Sequence, residues 1–273
     1  MLKKVVSGMF SRRHILAGGA AAVAFSSAAQ ASHIPVKVTQ RLVVLGDSYS
    51  DPNYDTQFNY TPFPNWAELL VSRGRAATMR NFALSGATAR TYSSAPVRGT
   101  FKSQLDQFLA NPGWGTDDVT VVYFGYNDIA RSTNSLWSTL TQSKIDYRTG
   151  VDRLIAAGAM AGKRRLILTS VHDWSKNPKT RAEYVTRTRD WLTFTYDLLS
   201  KRPGVINANI YRRITDVMLR PQVYGLNNVT TADVTRSQTT ALFLNGNHFG
   251  AKGHQILADE FSTVLDFVVR SRR

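Results

Sequence analysis

The stretch RLVVLGDSYS, Arg41–Ser50, decides how the chain is read. Arg41–Leu45 is a short apolar run, the pattern of a strand buried on both faces, and such strands belong to parallel sheets. Gly46 ends the run and Asp47-Ser48 follows in a turn. Outward from there the alternation repeats. Thr78–Leu84 predicts a second strand, Val119–Phe124 a third, Leu166–Thr169 a fourth and Val205–Ala208 a fifth. Helical spacing separates them: Trp66, Leu69 and Leu70; Phe101, Leu105, Phe108 and Leu109; Tyr147, Val151, Leu154 and Ile155; then Thr180–Ser200. A last amphipathic run holds Leu257, Phe261, Val264, Leu265 and Val268. Repeated β–α units predict one α/β domain, a parallel sheet of about five strands covered by helices on both faces.

Composition bounds the chemistry. The 273 residues include 13 Phe, 11 Tyr and 5 Trp, ample material for a core, so a disordered polyelectrolyte is excluded. No cysteine is present, which removes disulfides, thiolate metal sites and a cysteine nucleophile. The formal charge of +15 favours weak association with anionic envelope surfaces; no recognition motif organises the basic residues toward nucleic acid.

Residues 1–31 read as a leader rather than as fold. Lys3, Lys4, Arg12 and Arg13 precede the apolar stretch Ile15–Phe25, and Ala29-Gln30-Ala31 suits cleavage. Ser11-Arg12-Arg13-His14-Ile15-Leu16 has the form of a twin-arginine signal. The apolar stretch falls short of the roughly 18–20 residues that span a bilayer, so no transmembrane anchor is expected. A single domain over 32–273, periplasmic or secreted from a bacterium, is the expectation.

In a parallel sheet, chemistry gathers beyond the carboxyl ends of the strands. There the chain places Ser48 after the first strand, Gly86 after the second, Asn127 after the third, and His248 in the loop before the last helix. Those parts suit acyl transfer. A serine hydroxyl attacks, a histidine takes and returns its proton, and amides meet the oxyanion. Read singly, Ser48 could cap a helix, Asn127-Asp128 could be a capping pair, and His248 could be a surface histidine. Their joint order argues otherwise.

The four motifs resemble the GDSL, or SGNH, esterase/lipase family, from Leu42 to about Asp259. The overall look is closest to the longer branch with plant-type lipases, phospholipase/acyltransferases and carbohydrate acetylesterases. The resemblance implies a three-layer α/β/α sandwich with a flavodoxin-like sheet. It also implies a serine esterase, exported if the leader reading holds, acting through an acyl-Ser48 intermediate, with His248 as base and an oxyanion hole of Ser48, Gly86 and Asn127. No cofactor or metal is implied. The same site could serve acyl transfer, and a catalytically weakened binding protein of this fold is the alternative.

One departure matters. The family usually carries Asp three residues before the histidine, and this chain carries Asn245. Three explanations stand: a Ser48–His248 dyad oriented by a neutral acceptor, an acid recruited from elsewhere, or a weakened enzyme. Phe249 also replaces the family's usual Pro. The ring-rich segment after the nucleophile offers Tyr49, Tyr54 and Phe58 as walls for the ester substrate. Asp47 is expected to organise the nucleophile turn, and His254 to pack against or cap the last helix.

Overall fold

The computed structural model describes residues 38–57, 59–91, 99–132, 140–179, 181 and 183–272. The expected leader and Phe58 lie outside the described residues, all of which fall within residues 35–273, a single unit. In chain order the elements are β1 (Thr39–Gly46), α1 (Tyr54–Gln57), α2 (Trp66–Ser72), β2 (Ala76–Asn81), α3 (Phe101–Ala110), β3 (Val119–Tyr123), α4 (Tyr126–Arg131) and α5 (Thr141–Ala156). They continue with β4 (Arg165–Thr169), α6 (Glu183–Ser200), β5 (Ile206–Ala208), α7 (Ile210–Leu219), β6 (Asn228–Ala232), β7 (Ala241–Phe243) and α8 (Ala251–Arg270).

Five strands form the main sheet in the order β2-β1-β3-β4-β5, and every pairing is parallel. Every residue of β3 is buried, as a central strand with helices on both faces requires. On one side α2 packs on α8 and α7 on α8; on the other α3 packs on α5, and α5 and α4 on α6. The result is the three-layer sandwich with flavodoxin-like strand order. Its order reverses between β1 and β3, and a crevice opens at the carboxyl ends of strands that diverge this way.

Local chemistry sets the ends of the elements. Asn65 and Glu68 form a reciprocal capping box at α2, with Asn65 Oδ1 accepting from Ala67 N at 2.8 Å and Glu68 Oε2 from Asn65 N at 2.8 Å. Trp66 then stacks on Phe261 of α8, ring centroids 3.9 Å apart, locking two helices of one layer.

The expected strands are present with shifted ends. β2 closes at Asn81 rather than Leu84; Phe82 N and Leu84 N still donate to Val44 O and Gly46 O of β1, tethering the chain as it runs into the Gly86 loop. α6 begins at Glu183. Helix α7 and the small β6–β7 sheet were not anticipated; the Ile210, Ile214 and Val217 spacing after the capping Asn209 was the available signal. Among the described residues no helix is long and apolar enough to cross a membrane.

Candidate active site

The end of β1 is shaped by a buried amide. Gln104 of α3 accepts from Gly46 N at 2.9 Å and donates to Gly46 O at 2.8 Å, imitating one rung of a sheet where the strand stops. The chain then turns: Ser50 N and Asp51 N both donate to Asp47 O, and Tyr49 N donates to Asp47 Oδ1 at 3.1 Å. Ser48 sits at the head of this turn, with Oγ 2.8 Å from His248 Nε2. Asp47 organises the turn through these bonds, and burial pushes its carboxyl well above its ordinary range.

The Gly86 loop is tied to that turn. Asp51 Oδ2 accepts from Ser85 N at 2.8 Å and from Ser85 Oγ at 2.7 Å. Farther along, Asp128 accepts from Ala89 N and Arg90 N. Asn127 Nδ2 donates to Ala87 O at 2.9 Å, which spends one of its two hydrogens. Gly86 adopts φ +81°, a left-handed conformation in which a side chain would be strained. Among the described residues neither the Ser48 nor the Gly86 amide finds an acceptor. Two backbone donors and one side-chain hydrogen are thus left in adjoining loops, which suits an anion that forms only during a reaction.

Gly125 has φ +133°, and a Cβ there would lie 2.5 Å from Trp191 Nε1, so only glycine lets α4 start where it carries Asn127 to this rim.

The histidine loop is pinned from several sides. Asn245 Oδ1 accepts from the Asn247 and His248 amides, each at 2.9 Å. Asn247 O accepts from Asn177 Nδ2 at 2.9 Å and from the Tyr49 hydroxyl. Gly246 O accepts from Lys179 N at 2.9 Å. The ring of His248 lies 4.2 Å, centroid to centroid, from Tyr54 and 5.4 Å from Tyr49. Its Nδ1 faces Tyr54 Oη at 2.7 Å and Asn245 Oδ1 at 3.1 Å. Burial pushes its basicity well below imidazole's ordinary value, and His254 and His172 add repulsion. Among the described residues, the two groups facing Nδ1 are a hydroxyl and an amide oxygen, and neither is a carboxylate.

Residues 42–261 match the model of the GDSL-like Lipase/Acylhydrolase family. The chain belongs to that family. It is a carboxylic ester hydrolase. Solved structures share the fold at low identity. An acetyl xylan esterase, AlAXEase, superposes at TM-score 0.54 with 11% identity over 82% of this chain and 98% of its own. LAE5, an alpha/beta hydrolase enzyme from the metagenome of Lake Arreo, Spain, gives 0.55 at 17% identity over 84% and 96%. Axe2, an acetylxylan esterase from Geobacillus stearothermophilus, gives 0.52 at 14% over 85% and 97%. No curated protein matches by sequence.

Within this acylhydrolase the expected substrate walls need correction. Tyr49 is 1% exposed, its ring enclosed by Tyr126, His172, His248 and Phe249, so it supports the histidine loop from beneath and offers a substrate no surface. Tyr54 is also buried, its hydroxyl committed to His248 and Asn245. His254 lies in the core, Nδ1 accepting from Trp66 N at 3.3 Å.

Asn177 escaped the sequence reading. Asn177 donates to Asn247 O, so its Oδ1, 2.7 Å from His172 Nε2, accepts that ring's hydrogen. His172 Nδ1 then accepts from Tyr126 Oη at 2.7 Å. Burial lowers His172 to about 4, and the ring remains a neutral strut. No motif surrounds Asn177; only its place just beyond β4, on the rim that carries the site, could have drawn attention to it.

Proposed function

We propose that this esterase is exported and hydrolyses esters through an acyl enzyme formed on Ser48. The observation that carries the reading is the 2.8 Å contact of Ser48 Oγ with His248 Nε2, beside two backbone amides that find no acceptor among the described residues. Ser48 Oγ attacks the ester carbonyl carbon while His248 Nε2 takes its proton. The oxyanion accepts from the Ser48 and Gly86 amides and from the second hydrogen of Asn127 Nδ2. The tetrahedral species collapses, and the alcohol departs with the proton held on Nε2. Water then attacks the acyl carbon, gives a proton to Nε2, and the second collapse releases the acid and returns the proton to Ser48.

Among ester classes, acetylated carbohydrate suits the reading best: two of the structural neighbours are acetylxylan esterases by name, and the twin-arginine-like leader directs a folded enzyme toward the envelope. The test pairs fluorophosphonate labelling with a panel of p-nitrophenyl esters from acetate to palmitate and with acetylxylan. Labelling at Ser48 and a rate that falls with acyl length support the reading; an unlabelled Ser48 removes the acyl-enzyme. Export is tested separately by fractionating cells that carry the chain with Arg12 and Arg13 intact or changed to Lys. Retention of the paired-lysine form in the cytoplasm is expected, and unchanged export overturns the leader assignment.

A further inference from the structure

The Nδ1 edge of His248 holds more information than its distances alone. Asn247 N and His248 N can only donate, and both meet the same atom of Asn245 at 2.9 Å, so that atom is the amide oxygen. Nδ2 of Asn245 therefore points to the tyrosines. It donates to Tyr54 Oη at 2.6 Å and faces Tyr60 Oη at 3.3 Å.

This orientation changes what Tyr54 does. An aspartate at 245 would accept from the Tyr54 hydroxyl, whereas asparagine donates to it, so Tyr54 Oη acts as an acceptor. A phenolic oxygen that already accepts one hydrogen bond can accept another. For His248 Nε2 to take the Ser48 proton, the neutral ring must carry its hydrogen on Nδ1. Of the two acceptors before that hydrogen, Tyr54 Oη is the nearer, at 2.7 Å against 3.1 Å for Asn245 Oδ1. The opposite arrangement, with Tyr54 donating to Nδ1, would place a hydrogen on Nε2 facing Ser48 and abolish the base. Burial drives the Tyr54 phenol well above its ordinary range, so it stays a neutral hydroxyl throughout.

We propose that Tyr54 is a positioning residue which, together with Asn245, replaces the missing carboxylate: it holds His248 in the Nδ1–H tautomer and accepts the Nδ1 hydrogen bond of the imidazolium. The proposal rests on the Ser48–His248 reading above. Protons balance without Tyr54 changing state: the serine proton moves to Nε2, Nδ1 keeps its own, and Tyr54 keeps its hydroxyl hydrogen.

Tyr54→Phe tests it, because the ring stays against the imidazole and only the hydroxyl goes. With p-nitrophenyl acetate across pH 5–9, kcat should fall about 10- to 100-fold, the range for losing a hydrogen bond to a charged group, with KM held within about twofold. Asn245→Asp added to Tyr54→Phe should restore most of that loss, since a carboxylate supplies the acceptor; damage to packing would not be rescued this way. Nitrogen NMR of the His248 ring provides a readout independent of turnover. The wild-type ring should be Nδ1-protonated at neutral pH, and its Nδ1–H resonance should move in Tyr54→Phe. Should Tyr54→Phe fail to fold, 3-fluorotyrosine at position 54 keeps the hydroxyl but weakens it as an acceptor, and should give a smaller loss of kcat in the same direction. Unchanged kcat in Tyr54→Phe, or an Nε2–H ring in the wild type, overturns the proposal. If Ser48 takes no fluorophosphonate label, the acyl-enzyme reading fails by itself. The NMR comparison then decides Tyr54 alone: a resonance that moves in Tyr54→Phe sustains the hydrogen bond, and one that does not refutes it.

Discussion

On the oxyanion side of the site, buried carboxylates take the backbone hydrogen bonds: Asp47 from Tyr49, Asp51 from Asn53 and Ser85, Asp128 from Ala89 and Arg90. Around His248 the loop is held by neutral groups: Asn245 accepts from the His248 amide, Asn177 and Tyr49 donate to Asn247 O, and Tyr54 meets the imidazole. A negative charge helps an imidazolium and opposes an oxyanion, so this distribution looks inverted for ester hydrolysis. Burial softens the inversion. It raises Asp128 to about 6 and Asp47 well above its ordinary value, driving both acids toward their uncharged forms beside the loops that must receive an anion. The cost then falls on the histidine, which must become cationic among dipoles alone.

The harshest break is Ser48→Ala. Removing the nucleophile of a serine hydrolase costs on the order of 10⁵–10⁶ in kcat, and here the melting temperature should hold because, among the described residues, Ser48 Oγ bonds to His248 Nε2 alone. Steady-state kinetics and a thermal melt together check this; surviving turnover above that floor takes Ser48 out of the mechanism. Next in size is Asn127→Ala. It deletes one oxyanion donor and the bond to Ala87 O, and kcat should drop by about 10²–10³ with little change in KM. A loss confined to KM would place Asn127 in substrate binding and leave the oxyanion to the two backbone amides.

Asn245→Asp probes the other side of the comparison. Catalysis needs His248 unprotonated in the free enzyme, and its basicity is depressed, so the acid limb of kcat/KM should lie well below imidazole's ordinary value of about 6.5. A carboxylate at 245 stabilises the imidazolium, raises the basicity of His248, and so moves that limb to higher pH. In a serine protease the converse Asp→Asn change costs about 10⁴-fold through the wrong tautomer. Here Tyr54 already accepts from Nδ1, so the gain in kcat at pH 8 should stay below about tenfold. A pH–rate profile of the variant separates the two effects. A limb that does not move would show that charge at 245 does not reach the ring, and a gain near 10⁴ would mean the neutral partners orient nothing.

How much of this could be read from the chain follows from the range of the interactions. The strand around Leu42–Leu45 and the fully buried β3 announce themselves because a parallel strand is apolar on both faces, whatever its neighbours. Ser48, Gly86 and Asn127 could be singled out because each follows a strand of the main sheet, and His248 because its loop leads into the last helix. Of the histidine's neutral supports, Asn245 could be singled out as such, because it stands three residues before the ring. Tyr54 meets His248 across 194 positions, and Asn177 meets Asn247 across 70; nothing local marks either as a partner of the histidine loop. Tyr49 misled for the opposite reason. An aromatic residue next to the nucleophile looks like a substrate wall, but the turn at Asp47 folds it inward beneath the imidazole.

The smallest effect on turnover is expected at Asn177, and its value lies in telling support from chemistry. Asn177→Ala removes one of the two side-chain donors on Asn247 O and leaves the Tyr49 hydroxyl, so His248 keeps an anchored loop and kcat should fall only a few-fold. Its larger consequence lies in the core. His172 Nε2 loses the acceptor it has among the described residues while still buried, and an unsatisfied buried donor costs about 1–3 kcal/mol. Chemical denaturation should therefore register a loss of about 2 kcal/mol where kinetics register little. If turnover instead collapses at unchanged stability, the carbonyl of Asn247 needs both donors to hold the imidazole at Ser48. The neutral side would then be as unforgiving as the carboxylate side, because each dipole there sets a position that no charge is present to correct.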